Sequence, residues 1–355
     1  MLRPDSYLPV KTGIDVLLAD DFRALRDARV ALVAHEAAVN AEGRRSTDII
    51  ATRDELFLDR IFWLGERAPA YPEGLSVIEI SGSKRPIAAE DLHDLDALLI
   101  DLQEPGCRFS PCVELIGQAI ASCATANVRC YVLDRPNPLD GLTVEGPSSE
   151  SGSDAADSAC PLPIRHGMTL GELARLLNQD RQDVAKLRVV GMAGWERQFL
   201  FEHTGLPWVA PLPGLVKPQS AACYAALQLL SETNVSLGQD KDAPYELIGA
   251  PWIEAAGFAK DLAGCGIPGV RFDPVEHGVR ITIEQLQEFQ PAELCLALIR
   301  LLRARYPQQW RYEGLARLLA RADLLEAIED QADELDQLWA PDPDFFDTRA
   351  KALIY

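Results

Sequence analysis

Short, uninterrupted apolar runs recur through the first 150 residues, and they constrain the fold more than any other feature of the chain. A continuous apolar run bounded by polar residues is typical of a strand buried on both faces, as in a parallel sheet. The predicted strands are residues 29–34, 61–64, 77–80, 97–102 and 128–133. Segments with helical spacing lie between several of them, at residues 46–56 and 113–126. Strands that alternate with helices predict an α/β fold with a mainly parallel, doubly wound sheet.

The second half of the chain predicts a smaller α/β domain. A stretch rich in Ser, Asp and Gly at residues 148–158 is typical of a flexible loop or a domain boundary. We therefore expect one domain over residues 1–150 that carries most site residues, and an auxiliary domain over residues 151–355 that closes the cleft. Thr169 and Glu172 fit a capping box at the start of a helix. Further predicted elements are helices at residues 220–230, 251–262 and 291–305, strands at 187–190, 269–272 and 279–283, and a proline-rich loop at 207–218.

The net charge of −20 narrows the classes of partner. Nucleic-acid backbones and anionic membranes both attract concentrated Lys and Arg, so neither is expected as a partner. No apolar run reaches the length of a transmembrane helix, and the first residues lack the apolar core of a secretory signal, so a cytoplasmic location is expected. The acidic, amphipathic segment at residues 322–339 favours a solvated packing helix, and a protein-binding face is the alternative.

The eight cysteines indicate buried thiols in a reducing compartment. They form no Cys-x-x-Cys motif and have no histidine at zinc-ligand spacing, so neither disulfides nor a metal site is expected. The sequence also lacks a Gly-x-Gly-x-x-Gly dinucleotide motif, a P-loop and a Gly-x-Ser-x-Gly nucleophile elbow. We therefore expect no cofactor.

Polar residues follow the predicted strands at the point where each strand ends. The most informative group is the motif Asp-Arg-Pro-Asn-Pro at residues 134–138, whose prolines stiffen a loop directly after a buried strand. Ligands of open α/β sheets bind beyond the carboxyl ends of the strands. The other strand ends contribute His35, Glu36, Glu66, Arg67, Asp101, Gln103, Glu104 and Arg108, and Glu145 lies downstream. Carboxylates that converge at one edge are suited to general acid–base catalysis.

A set of motifs makes the chain resemble the DUF1343 proteins, the NamZ-type exo-β-N-acetylmuramidases of bacterial cell-wall recycling. They are Asp-Arg-Pro-Asn-Pro at residues 134–138, Val-Glu-Gly-Pro at 144–147, Arg-His-Gly-Met-Thr-Leu-Gly-Glu-Leu at 165–173, Gly-Trp at 194–195, Thr-Gly-Leu-Pro-Trp at 204–208, Thr-Asn at 233–234, Gly-Ala-Pro at 249–251 and the terminal Leu-Ile-Tyr. These motifs span nearly the whole chain, and together they are specific. The resemblance implies a Rossmann-like, mainly parallel sheet domain and a second, smaller α/β domain, with the site in the cleft between them.

The resemblance also implies an activity, the removal of a terminal N-acetylmuramic acid from the non-reducing end of peptidoglycan fragments. Family members look to use two glutamates, one in Val-Glu-Gly-Pro, which corresponds to Glu145, and one after an early strand, which falls near Glu66. Glycosidases place two carboxyl groups about the scissile bond, so we expect these two to form the catalytic pair. The predicted substrate contacts are His35, Glu36, Arg108, Asp134, Arg135, Asn137, Trp208, which would stack on a sugar ring, and Asn234.

Several site positions depart from the family pattern while the framework motifs persist. Around Glu66 the proline, histidine and glycine of the family's Pro-Glu-His-Gly are missing. The family's Asn-His after the first strand is His35-Glu36 here, and the two tyrosines that follow Arg108 in the family are replaced. Two interpretations follow. The protein is a hydrolase with altered specificity, or it is a catalytically degenerate homologue that binds a muropeptide or amino-sugar ligand or acts through a protein partner.

Overall fold

A six-stranded parallel sheet organises the first part of the chain, in a computed structural model that describes residues 9–65, 68–71, 74–80, 85–150, 161–179, 181, 183–238 and 243–355. The strand order is β3-β2-β1-β4-β5-β8, and every neighbouring pair is parallel. The strands are β1 (Arg29–Ala34), β2 (Phe57–Leu64), β3 (Ser76–Ile80), β4 (Ala97–Asp101), β5 (Arg129–Leu133) and β8 (Leu187–Val190). The sheet predicted from the apolar runs is therefore confirmed.

Helices cover both faces of this sheet, which is why its central strands are apolar throughout. On one face the core includes residues of α3 (Pro111–Ala126) and α4 (Leu170–Gln179). On the other face it includes residues of α1 (Gly13–Ala19) and α2 (Ser46–Ala51). A strand buried on both faces can carry apolar side chains at successive positions, and β4 is fully buried along its length. This doubly wound, Rossmann-like unit is called the first lobe below.

A short hairpin and a second, smaller sheet complete the architecture. The hairpin pairs β6 (Glu145–Ser148) with β7 (Pro163–Arg165) in antiparallel fashion. The smaller sheet is antiparallel in the order β10-β11-β9, with β9 (Leu247–Gly249), β10 (Val270–Val275) and β11 (Gly278–Ile283). Its helices are α5 (Pro218–Leu227), α6 (Ala255–Gly264), α7 (Pro291–Arg305), α8 (Leu315–Leu319), α9 (Ala322–Asp330) and α10 (Leu335–Leu338). The smaller sheet and helices α5 to α10 form the second lobe.

The two lobes share apolar packing, and the chain crosses between them more than once. Cys107, Leu139 and Ile164 of the first lobe and its hairpin lie in the core of the second lobe. The last helix, α11 (Pro343–Ala352), returns to the first lobe and packs against α4. Because β8 belongs to the parallel sheet, that sheet draws on residues from both sides of position 150. Residues 151–158 of the expected boundary stretch lie outside the described residues, and the division at residue 150 stays a prediction.

The acidic segment at residues 322–339 forms two helices instead of one. Gln331 adopts a left-handed backbone (φ 51°) that ends α9, and α10 begins at Leu335. The apolar side chains Leu324, Ile328 and Leu335 are buried in the core of the second lobe. The apolar face of this segment is therefore used within the chain. Among the helices of the described residues, none is long and apolar enough to cross a membrane.

Candidate active site

A buried ion pair lies at the carboxyl edge of the parallel sheet, where β4 and β5 end. The Arg135 guanidinium donates to both carboxylate oxygens of Asp101, from Nε at 2.5 Å and from Nη2 at 2.9 Å. The Ser46 hydroxyl at the start of α2 also donates to Asp101. Both charged side chains are at least 96% buried, since their exposed fractions are 4% and 1%. This bidentate pair joins two neighbouring strands and a helix, and its charges compensate each other.

His35 follows β1 at the same edge and is held as a neutral ring. Its Nε2 accepts a hydrogen bond from the backbone N–H of Gln103 at 2.8 Å, so the ring proton is on Nδ1. Burial and, to a smaller extent, the nearby Arg135 charge together lower the pKa of His35 to about 3, against a hydrogen bond to the backbone of Pro211, which raises it. The ring therefore connects β1, the end of β4 and the proline-rich loop. We call Asp101, Arg135, His35 and Gln103 the edge cluster.

Asp134 follows β5 and receives four hydrogen bonds. Its Oδ1 accepts from the backbone N–H groups of Arg135 (2.9 Å) and Gly171 (2.7 Å), and its Oδ2 accepts from the hydroxyls of Thr169 and Tyr355, both at 2.8 Å. Burial outweighs the hydrogen bonds from Gly171, Thr169 and Tyr355, which lower the pKa, so that the pKa of Asp134 is raised to about 6. The carboxylate approaches Gly171 so closely that a Cβ there would lie 2.7 Å from Asp134 Cγ. Asp134 thus fixes the start of α4 and the end of the chain.

The capping box predicted before α4 is present and shares these contacts. The backbone N–H of Thr169 donates to the Glu172 carboxylate at 3.1 Å, and the backbone N–H of Glu172 lies 3.3 Å from the Thr169 hydroxyl. Asn137 serves the same framework, because its amide donates to the Met168 carbonyl and accepts from the Leu139 N–H, each at 2.9 Å. The polar side chains of the 134–138 loop are therefore bonded to their neighbours in the fold.

Little space remains beside the edge cluster. A cavity of about 10 Å³ lies against Arg135 and Gln103, and Leu206, Pro207 and Val209 of the proline-rich region cover it. A volume of this size holds about one water molecule. Among the described residues, this space beside Arg135 and Gln103 is too small for a sugar.

The remaining predicted contact residues have partners outside the edge cluster. Trp208 is half-buried, donates from Nε1 to the Leu215 carbonyl at 2.8 Å and packs edge-on against Phe201. Asn234 clamps a surface loop through the Gln309 carbonyl and the Arg311 N–H, both at 2.8 Å. Their predicted roles in sugar binding stay predictions.

Arg108 and Glu36 have opposite environments. Arg108 is buried, and its Nη2 donates to the carbonyls of Leu318 (2.7 Å) and Leu319 (3.2 Å) at the end of α8. It therefore joins the first lobe to the second. Glu36 is exposed and pairs with Arg45 at 3.1 Å. Both stay predicted contact residues, but only Glu36 presents its charged group to solvent.

Glu145 begins β6 and lies at the junction of the two lobes. Its Oε1 accepts from Arg165 Nη1 at 2.6 Å, and Arg165 also contacts Asp140 at 2.8 Å. Its Oε2 accepts from the backbone N–H of Ala292 at 3.2 Å, in the first turn of α7. Burial raises the pKa of Glu145, an effect that Arg165 and the Ala292 N–H offset only in part. A carboxyl group whose proton is favoured by burial is suited to act as a general acid.

The largest of the cavities described lies directly against Glu145. It has a volume of about 750 Å³ and runs between the β6 hairpin and the helices of the second lobe. This volume is within the usual range for small-molecule sites. Its lining includes Glu145, Glu293, Arg300, Asp336 and Trp339. We call this space the interlobe cavity.

The structure thus brings together only part of the predicted site. His35 and Arg135 meet at the sheet edge, whereas Glu145 faces the interlobe cavity. Glu66 and Arg67 lie outside the described residues, so the predicted pairing of Glu66 with Glu145 stays a prediction. The sequence reading missed Glu293, Arg300 and Asp336. No local motif marks them, since Glu293 follows only the helix-start signal Gln-Pro-Ala at residues 290–292.

Comparison with protein families gives matches over most of the chain. Residues 30–219 match the N-terminal domain of the exo-beta-N-acetylmuramidase NamZ, and residues 222–355 match its C-terminal domain. The peptidoglycan beta-N-acetylmuramidase NamZ of Bacillus subtilis (strain 168) is 31% identical, over 85% of this chain and 80% of the relative.

Solved structures give the same assignment. A DUF1343 family protein of Bacteroides fragilis NCTC 9343 superposes with a TM-score of 0.90 at 28% identity, over 98% of this chain and 99% of the other. A second DUF1343 family protein of the same organism has a TM-score of 0.75 at 21% identity, with the same coverage, and supports the fold alone. The two-lobe architecture is therefore shared along nearly the full length of the chain.

Proposed function

This chain belongs to the NamZ exo-β-N-acetylmuramidase family of glycoside hydrolases, and from that premise we propose that it releases a terminal N-acetylmuramic acid-type sugar from peptidoglycan fragments. The substrate class comes from the Bacillus subtilis relative, which is a peptidoglycan β-N-acetylmuramidase. The observation in this chain that supports the proposal is the position of Glu145, a largely buried carboxyl group that faces a cavity large enough for a sugar.

Glu145 has the environment that a general acid of a glycosidase requires. The general acid must be protonated before it donates its proton to the oxygen of the scissile glycosidic bond. Burial favours the protonated form of Glu145, while the Arg165 guanidinium and the Ala292 N–H fix the positions of its two oxygens. The carboxyl group is therefore oriented toward the cavity by contacts from both lobes. Preorganisation of this kind lowers the cost of reaching the transition state.

A second candidate function is that of a catalytically degenerate homologue that binds a muropeptide-like ligand without hydrolysing it. Two observations favour it. The edge cluster is buried and bonded internally, and Arg165 contacts Glu145 at 2.6 Å, which favours the ionised carboxylate. A general acid that is ionised cannot donate a proton, so turnover would be lost while the cavity remained.

Turnover of a chromogenic N-acetylmuramic acid β-glycoside separates the two candidates. We expect the wild-type protein to release the sugar, and Glu145→Gln to lower kcat by about a hundredfold or more. Since the acid must be protonated, wild-type activity should fall as pH rises through the pKa of Glu145. Glu150→Gln is the matched control, because Glu150 lies near the end of the same hairpin strand and is exposed.

Binding without turnover would support the degenerate homologue instead. That outcome is a wild-type protein that releases no sugar but binds a muropeptide in a calorimetric titration. A Glu145→Gln variant that keeps wild-type kcat and an unchanged pH profile would remove Glu145 from the proposed chemistry.

A further inference from the structure

We propose that the free edge of the parallel sheet binds an extended acidic peptide, which adds to β8 as a further strand and places its carboxylates against Arg175 and Arg188. Such a site is separate from the hydrolase function proposed above and does not depend on it. Three features point to it: a cavity beside β8, two arginines that no described carboxylate neutralises, and the position of β8 at the end of the sheet.

The cavity beside β8 is positively charged in an otherwise acidic chain. It has a volume of about 470 Å³, within the usual range for ligand sites, and residues of both β8 and α4 line it. Its charged lining residues are Arg175 and Arg188, and Asn178 and Gln179 add two amides. No acid lines it among the described residues, although the chain carries a net charge of −20. A cavity with this lining attracts an anionic ligand.

Neither arginine forms an ion pair within the described part of the chain. Arg175 donates from Nη1 to the Leu353 carbonyl at 2.8 Å, and Cζ of Arg188 lies 6.0 Å from the centre of the Tyr131 ring. A carbonyl group or an aromatic face orients a guanidinium but does not cancel its charge. Because Arg188 is also exposed, a carboxylate can reach it from solvent.

β8 is the last strand of the six-stranded sheet, and its pairing leaves one side of the strand open. Its strand neighbour is β5, and the backbone N–H of Asp134 donates to the Val190 carbonyl at 3.0 Å. In a parallel ladder alternate residues bond the neighbouring strand, so the N–H and C=O groups of Val189 point away from β5. Lys11 pairs with Ala193 and covers the continuation of this edge. The open part of the edge is therefore β8 itself.

An extended peptide matches this combination of backbone and side chains. A strand added to a sheet edge gains affinity from main-chain hydrogen bonds and specificity from pockets for its alternate side chains. Leu187, Val189 and Ile354 provide an apolar wall beside the arginines, which suits a peptide of alternating acidic and apolar residues. Edge-to-edge pairing with a second copy is disfavoured, because a two-fold axis at β8 would bring the Arg188 side chains of both copies together.

Fluorescence anisotropy with the full-length protein tests the charge recognition. The probe is a fluorescein-labelled hexapeptide of alternating Val and Glu, and the charge control has Lys at the Glu positions. We expect the Lys peptide to bind at least about a hundredfold more weakly than the acidic peptide. Arg188→Gln should weaken binding of the acidic peptide by about tenfold. Arg280→Gln is the matched control and should change it by less than about twofold, because Arg280 is an exposed strand arginine that does not line this cavity.

Methylation of the peptide backbone tests strand addition. A version of the acidic peptide with every backbone nitrogen methylated keeps its carboxylates but has no N–H donor, so its affinity should fall by about a hundredfold. Hydrogen exchange gives a second measurement on the unmodified protein. The acidic peptide should slow exchange of the Val189 amide by about tenfold, because that N–H becomes bonded to the added strand.

Four outcomes would overturn the proposal. Equal binding of the acidic and Lys peptides, or unchanged affinity in Arg188→Gln, removes the role of the arginines. Full affinity of the methylated peptide with unchanged Val189 exchange removes strand addition. Displacement of the peptide by equimolar inorganic phosphate identifies a simple anion site. A concentration-dependent dimer that Arg188→Gln strengthens identifies a second copy as the occupant. Sugar release should be the same in Arg188→Gln and wild type, so each result stands apart from the hydrolase function.

Discussion

The carboxyl edge of the parallel sheet and the interlobe cavity are both rich in charged residues, but they use them differently. At the edge, Asp101 and Arg135 are almost fully buried and bonded to each other, beside a space of about 10 Å³. In the interlobe cavity, Glu293, Arg300 and Asp336 face about 750 Å³ of open volume. The comparison shows that all polar groups of a residue at the end of a strand can be used in contacts that hold the fold together. Among the described residues, charged side chains that line a larger open volume lie where the second lobe meets the hairpin.

The largest effect expected from this difference concerns stability at the sheet edge. Arg135→Met would leave the Asp101 carboxylate buried without its cation, so we expect the free energy of unfolding to fall by about 3–5 kcal/mol. Urea unfolding measures it. Arg45→Met is the control, because Arg45 forms an exposed pair with Glu36 near the same edge, and we expect a loss under about 1 kcal/mol. Equal losses in both variants would contradict a framework role for the edge cluster.

A smaller effect concerns the pH dependence of stability through His35. In the unfolded chain histidine takes up a proton near pH 6.5, whereas the pKa of His35 in the folded protein is about 3. Between these values the unfolded chain binds more protons, so stability is lost as the pH falls. From about pH 7.5 to pH 5 the wild type should lose roughly 2 kcal/mol more than His35→Gln. Urea unfolding at the two pH values checks this.

The contribution of Asp134 to stability depends on pH in the opposite direction, but it does not affect the comparison of wild type with His35→Gln. Its pKa is raised from 3.8 to about 6, so between these values the folded protein binds more protons and gains stability as the pH falls. Both proteins in the His35 comparison contain Asp134, so its contribution cancels in the difference. A wild type and a His35→Gln variant with parallel pH dependences would show that His35 is not the buried neutral group described above.

The smallest effect on stability is expected in the interlobe cavity. Arg300 and Asp336 form an exposed pair, with 42% and 63% of their side chains accessible. Arg300→Gln should therefore change the free energy of unfolding by less than about 1 kcal/mol. Its KM for a muramic acid glycoside should rise by about tenfold, equivalent to about 1.4 kcal/mol, because the guanidinium lines the cavity proposed to bind the sugar. A large loss of stability with unchanged KM would reverse the contrast between the two regions.

The sequence predicts the fold well because the signals that determine it are local. The apolar run of β4 and the capping box at Thr169 and Glu172 can be read from neighbouring residues, and both are confirmed. The family motifs likewise predict the two-lobe architecture. These features depend on periodicity and on side chains within a few positions of one another.

The use of each polar residue is harder to predict because it depends on distant partners. Asp134 is satisfied partly by Tyr355, 221 positions later, and Glu145 is held by Ala292, 147 positions later. No pattern around either acid shows that one is enclosed and the other faces a cavity. Glu293 follows an ordinary helix start, and only the approach of the hairpin to α7 places it beside the cavity. Such residues are identified from tertiary contacts.

Arg108 has a consequence for how the whole molecule assembles. It lies between β4 and α3, yet it bonds the carbonyl groups at the end of α8, some 210 positions later. These are carbonyls that a helix cannot satisfy for itself. The second half of the protein therefore completes one of its own helices with a side chain from the first half. Each half is matched separately as a domain, but this contact and the shared apolar core join them, so we expect neither half to fold fully when expressed alone.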